Sequence, residues 1–311
     1  MRRATSLAAV IATVAACLPA LLATPADAAA PSCAPFDTPP SFRGDVPQAQ
    51  DVIGFPLGER DVTTAESDAY LRAVSAASPR VVEGVLATSV QGRALRYAIV
   101  GKPGNVTPAG LAEIRHDVAL LRDPGTPPSE AAKLAAKTPE ILWVAGNVHG
   151  GEESGTDASL RVLYELADRD DCAAQRVLDN ALVVILPTQN PDGREADTRR
   201  NAYGFDMNRD WFARTQPETD GKLTALQSYP PVLFIDSHEM GGRSYFVPPN
   251  ADPIYHEITD ESVDWINNRY GASMAAEFTR QGIDSSTATS TTCSTWDTAT
   301  RSRQPGSSPP A

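Results

Sequence analysis

Apolar residues follow three kinds of pattern along the chain. In "TTAESDAYLRAVSAASP" they recur at helical spacing behind cap-type residues, which predicts a helix with Tyr70, Leu71, Val74 and Ala77 on one face. "TDASLRVLYELADR" has the same period and predicts a second helix with Leu160, Val162, Leu163 and Leu166 turned inward. In "VVEGVLATSVQGRALRYAIVG" the apolar positions alternate, which predicts two paired strands around a turn at Gln91-Gly92. "ILWVAGNV", "ALVVILPT" and "VLFIDSH" are short continuous apolar runs, as expected of strands covered on both faces. Strands alternating with helices predict an α/β fold with a mixed, mostly parallel central sheet and helices on both faces. Residues 29–51, rich in Pro, Ala and Asp without a period, read as an exposed lead-in to a domain spanning 52–284.

The three apolar runs each deliver a polar residue at the same end. His149 follows the first, Asn190 the second, and His238 ends the third. In sheets of this kind function sits outside the carboxyl ends of the strands. His149 and Glu152 lie three apart across Gly150 and Gly151, so one tight turn can aim both at a point, and His238 could close a triad. Imidazole nitrogen and carboxylate oxygen are zinc donors, and a catalytic zinc takes three protein ligands. Either motif alone also arises by chance, as a polar loop or a lone histidine. The stretch "NPDGREADTRRNAYGFDMNRDWF" adds a second kind of chemistry. Arg199, Asn208 and Arg209 are residue types that grip a carboxylate or a developing oxyanion. Asp206 can accept the proton of a ligating histidine's other nitrogen. Arg194 and Arg200 read as members of a solvated loop, and His116 and His256 as surface residues.

Charge and the first residues change the setting. The chain has 311 residues and a net charge of -12, which argues against nucleic acid or an anionic membrane as partner. Residues 1–28 read as a secretory signal: Arg2 and Arg3, an Ala/Leu/Val run, then Ala26-Asp27-Ala28 as cleavage site. The run is short for a stable membrane anchor, and lipidation at Cys17 ranks second to cleavage. A secreted chain stands in an oxidising compartment, where Cys33 and Cys172 are the candidate disulfide pair; otherwise Cys172 is a small buried residue.

The blocks "HGGE", "NPDG", "RRNAYGFDMNRDW" and "DSHE", in that order, resemble the zinc carboxypeptidases of the carboxypeptidase A type, peptidase family M14, over roughly residues 52–284. "GRALRYAIVG" resembles that family's early strand. The resemblance implies a metallocarboxypeptidase, a monomer holding one Zn2+ through His149, Glu152 and His238 and cutting C-terminal residues from peptides or proteins. It also implies Arg199 as the group that steadies the oxyanion, Asn208 and Arg209 as the grip on the substrate's terminal carboxylate, and Asp206 as the residue that orients His149.

The chain departs from the family pattern at its end. The family's base glutamate is not present where it is expected; Glu257, Glu261 and Glu277 follow His238 too closely and in helix-like surroundings. Residues 285–311 change to Ser, Thr, Pro and Arg with few aliphatics, read as a disordered tail or, preferably, as a shifted reading frame. Moving the frame back one base across Thr292–Ser302 permits "DLFYMGYGDTV", which has a core-like pattern. The sequence therefore reads as a carboxypeptidase-type domain lacking its last part, inactive if the base is truly absent. An acyl-amino-acid hydrolase of the same superfamily, a non-catalytic zinc- or peptide-binding remnant, and a fragment that does not fold remain as alternatives.

Overall fold

A computed structural model describes residues 33, 40–239 and 259–282. The chain divides into two units, 1–34 and 35–311, and apart from Cys33 everything that follows belongs to the second. In chain order the elements are helices α1 (Ala49–Ile53) and α2 (Thr64–Ala77), strands β1 (Val81–Thr88) and β2 (Ala94–Val100), helices α3 (Pro108–Arg122) and α4 (Pro128–Lys137), and strand β3 (Glu140–Gly146). There follow α5 (Ser154–Asp168), α6 (Cys172–Asn180), β4 (Ala181–Leu186), α7 (Pro191–Glu195), α8 (Pro217–Ser228) and β5 (Leu233–Ser237). Two last helices, α9 (Asp260–Trp265) and α10 (Ala272–Arg280), flank a π-helical stretch and bury no residue.

The strands lie in the order β1-β2-β4-β3-β5. The hairpin forms where alternation places it: β1 and β2 pair antiparallel, with Gly92 at φ +83 in the turn that only glycine adopts freely. β2 pairs antiparallel with β4, while β4–β3 and β3–β5 are parallel. The sheet is mixed as its pattern predicts, and its described pairs divide evenly between the two senses. The parallel half carries the site.

Period-2 alternation along the central strands splits the interior in two. Val183 and Ile185 of β4 face a core built from Tyr70, Leu71 and Val74 of α2 and Leu160, Leu163 and Leu166 of α5. Leu182, Val184 and Leu186 face the other core, with Leu111 and Ile114 of α3 and Leu226 of α8. Helices therefore cover both faces, and every residue of β4 is buried. Val162, expected inward on α5, is only half-buried at the edge of its core. At about 1.5–3 kcal/mol for each fully buried large apolar side chain, these two layers are the main force on the fold.

The end of the lead-in is tied down, contrary to its polar composition. Val46 and Ala49 are buried against the α2–α5 core, and Phe42 bridges Arg169. Backbone amides of Gly44 and Asp45 donate to the carboxylate of Asp168 at the end of α5. Two apolar residues and a buried carboxylate suffice to dock a segment that has no period to announce it.

Candidate metal centre

Parallel pairing brings two strand ends to one level. Gly146 of β3 lies opposite Ser237 of β5, so the residues that leave both strands emerge side by side. Beyond β3 the chain turns at Asn147, which takes a left-handed φ of 57 that asparagine tolerates better than most residues. The Asn147 amide nitrogen lies 3.0, 2.9 and 3.0 Å from the carbonyls of His149, Gly150 and Glu152 and gathers the loop into one tight turn. A Cβ on Gly150 would stand 2.0 Å from the carbonyl carbon of Gly193, so this loop touches the "NPDG" loop backbone to backbone. Asn147 was not singled out from sequence, although an Asn between a strand end and an H-x-x-E pair is a legible signal.

His149 and Glu152 then meet His238. Nδ1 of His149 lies 2.7 Å from Glu152 Oε1, and Nδ1 of His238 lies 2.7 Å from Glu152 Oε2. Ligand atoms of all three fall within 4.8 Å of one another, and the ring centroids are 4.8 Å apart. Each imidazole is backed by a second carboxylate on its far nitrogen: His149 Nε2 lies 3.3 Å from Asp206 Oδ1, and His238 Nε2 3.3 Å from Asp236 Oδ2. Imidazoles that share one focus and are held from behind by carboxylates are the donor set zinc takes. Asp236 was not named as a site residue from sequence. It stands two residues before His238 on an extended strand, so both side chains share a face.

Charge at the centre is arranged around these carboxylates. Burial pushes the Asp206 carboxyl up, but the Arg199 guanidinium and the Asn208 amide outweigh it and hold its pKa below the ordinary value. Burial acts the same way on Asp236, and its hydrogen bonds with His238 and Gln189 reverse the shift. The bond to Asp236 in turn raises the pKa of His238, partly offset by burial and aided by Glu152.

Arg199 and Asn208 are brought to the centre, and Arg209 is not among the side chains that touch it. Arg199 sets Nε and Nη2 on Asp206 at 3.0 and 2.9 Å, which leaves Nη1 facing His149 Nδ1 at 3.3 Å and Glu152 Oε1 at 3.9 Å. Asn208 accepts from Trp211 Nε1 at 3.0 Å and places Nδ2 3.3 Å from His238 Nε2. Arg209 is exposed and folds back on the Asn208 carbonyl at 2.8 Å. Asn190 is a buried brace: its oxygen caps the Gly193 amide, and Nδ2 reaches the Val148 and Arg199 carbonyls. The Glu239 carboxylate takes the Ser154 amide at 2.7 Å, tying the end of β5 to the start of α5.

Arg194 corrects the solvated-loop expectation. It is buried on α7 and donates through Nε and Nη2 to the carbonyl of Val62, a buried residue of the segment before α2 whose acceptor needs a donor. Arg200 is exposed as expected, with a bond to Gly204. His116 is exposed on α3 and Glu261 on α9, and Glu277 is half-buried on α10. Cys33 and Cys172 are each disulfide-bonded. His256, Glu257, Cys17, Cys293, the signal segment 1–28 and the tail 285–311 lie outside the described residues. No helix among the described residues is long and apolar enough to cross a membrane.

The mixed α/β sheet thus delivers, at its parallel strand ends, a His–Glu–His cluster that could hold a metal ion. The sequence model of the zinc carboxypeptidase family, peptidase M14, matches residues 67–304, and the chain belongs to that family. Among curated relatives, carboxypeptidase 2 of Trichophyton rubrum is 33% identical over 115 residues, 37% of this chain and 21% of that protein. Human carboxypeptidase D is 32% identical over 118 residues, 32% of this chain and 8% of that protein. The chain thus spans about a fifth of the length of the fungal relatives it matches. Similar solved structures include carboxypeptidase A from Helicoverpa armigera, at TM-score 0.45 and 18% identity, covering 62% of this chain and 50% of that one. A metallo-carboxypeptidase from Burkholderia cenocepacia gives TM-score 0.42 and 22% identity, covering 58% and 42%.

Proposed function

We propose that this chain is the zinc-holding domain of an exported carboxypeptidase that takes peptides by their C-terminal end. One observation carries the reading: two imidazoles turn Nδ1 to the same carboxylate while Asp206 and Asp236 hold their other nitrogens. His149, Glu152 and His238 would hold one Zn2+. When bound, zinc polarises a carbonyl and lowers the pKa of a water to about 7. Asp206 keeps the Arg199 guanidinium edge-on, so that Nη1 stands ready for the negative charge that develops on a peptide carbonyl oxygen. Asn208 offers an amide donor beside it, and the exposed Arg209 would complete the grip on a terminal carboxylate by exchanging its bond to the Asn208 carbonyl for one to substrate. An internal peptide bond presents no such carboxylate, and this confines cutting to chain ends. The residues named here supply binding and charge stabilisation.

Equilibrium dialysis against zinc tests the reading. One zinc per chain is expected, and His238→Ala should weaken binding by more than the roughly 100-fold that outer partners of a ligand cost. Full occupancy in His238→Ala would end the proposal. Turnover of C-terminal residues in preference to N-acylated amino acids, in the same preparation, separates a peptidase from an acyl-amino-acid hydrolase.

A further inference from the structure

Behind the metal centre lies a buried charge that none of the steps above uses. Lys222 projects inward from α8 and is 1% exposed. Burial lowers its pKa to about 8, with Asp236 and Asp210 acting in the opposite sense. Its Nζ donates to Gln189 Oε1 at 2.7 Å and stands 4.0 Å from the ring centroid of Trp211. Two lines of contact run from it back to His238. Gln189 Nε2 donates to Asp236 Oδ1 at 2.7 Å, and Asp236 Oδ2 lies 3.3 Å from His238 Nε2. On the other side, Trp211 Nε1 donates to Asn208 Oδ1, and Asn208 Nδ2 faces the same His238 nitrogen.

The donor-only ammonium at the back gives the line through Gln189 and Asp236 a direction. An ammonium has three donors and no acceptor, so the Gln189 amide must turn its oxygen toward Lys222. Its NH2 then faces two acceptors, Asp236 Oδ1 and the Gly146 carbonyl at 3.3 Å. Asp236 is left accepting on both oxygens, and the proton it accepts on Oδ2 is the Nε2–H of His238. With that proton on Nε2, His238 Nδ1 carries the lone pair, and Nδ1 is the atom turned toward Glu152. The indole fixes the Asn208 amide in the same manner by taking its oxygen, but the NH2 it leaves is a donor and forms no bond with a protonated Nε2, so the Asp236 carboxylate alone sets the tautomer. Without the ammonium, Gln189 Oε1 would be a buried acceptor with no donor, and the amide would lose its anchor.

We propose that Lys222 is a positioning residue of this centre, acting through Gln189 and Asp236 to hold His238 in the tautomer that presents Nδ1 to a metal. The inference rests on the zinc reading of the His149–Glu152–His238 cluster. Its test is the zinc affinity of the full chain, measured by competition with a chromophoric chelator at fixed pH, beside the unfolding midpoint of each variant. Lys222→Met, close in length and without donors, should bind zinc about 10-fold more weakly, the lower end of what an outer partner of a ligand costs. Gln189→Glu keeps the Lys222 contact and the side-chain shape but removes the donor to Asp236, so a similar loss is expected with Lys222 in place. A merely structural lysine would shift the unfolding midpoint and leave the zinc affinity of the folded protein alone. Affinities within twofold of wild type in both variants overturn the proposal; should Lys222→Met not fold, Gln189→Glu decides it alone. A wild-type chain that takes up no zinc removes the reading of the centre and this inference with it, whereas a zinc-binding wild type with unaffected variants removes the inference only.

Discussion

The loop after β3 and the end of β5 each contribute to the same centre, from opposite conditions. His149 and Glu152 sit between a strand whose carboxyl end is buried and α5, whose Leu160 and Leu163 are fully buried. Asn147 and Gly150 lock that loop from inside. His238 leaves a strand in which all five residues are only half-buried and which has a single described neighbour, β3. One pair of the candidate ligands is thus set by the core, and the third is set by polar contacts around it: Asp236, Gln189, Asn208 and Glu239. Packing holds the first region and hydrogen bonds hold the second, so mutations should separate them.

The largest expected difference lies in truncation of apolar side chains. Leu163→Ala on α5 should lower stability by about 2–5 kcal/mol in denaturant unfolding, the usual range for a buried leucine. Ile235→Ala on β5 should cost less than half as much, because the side chain is already partly in water; equal losses would mean the two regions are packed alike. Next comes the buried guanidinium. Arg194→Met should cost about 1–3 kcal/mol by leaving the Val62 carbonyl without its donor, whereas Arg200→Met should stay within about 0.5 kcal/mol. Similar values for both would return Arg194 to the solvated loop.

The smallest effect sharpens the well-packed side. Glu66 closes a capping box with Thr63 at the start of α2, and its bond to Arg60 lowers its pKa from 4.5 to about 2. The folded value is depressed, so the stabilisation is present above pH 4.5 and fades as pH falls toward 2. With Arg60 half in water, solvent screens the pair and the contribution is small. Glu66→Gln should flatten that part of the acid unfolding profile, and an unchanged profile would show that the box adds nothing at this pH.

Much of this was legible in the chain because it depends on local period. The helical spacing of Tyr70, Leu71 and Val74, the alternation on either side of Gly92, and the continuous runs of β3 and β4 each report how much of an element faces apolar surroundings. The ends of three such runs, with His149, Asn190 and His238, marked the side of the sheet that matters. Less legible were residues whose partners lie far away in sequence. Arg194 looks like any loop arginine until Val62 is placed beside it, and Val46 and Ala49 carry no period that betrays their burial. Lys222 lies on α8 between Gly221 and Leu223 and gives no sign that its ammonium points inward at Gln189 and Trp211.

The sequence by itself determined the elements, the order of the motif blocks and the kinds of atom on offer at the strand ends, because side-chain chemistry and hydrophobic period are properties of single residues and short windows. Only the tertiary structure decided which nitrogen of each histidine faces Glu152, which carboxylate backs it, and which cation directs that carboxylate. His149 and Asp206, His238 and Glu152, and Lys222 and Gln189 meet at about 3 Å from positions far apart in the chain, and no local pattern encodes those meetings.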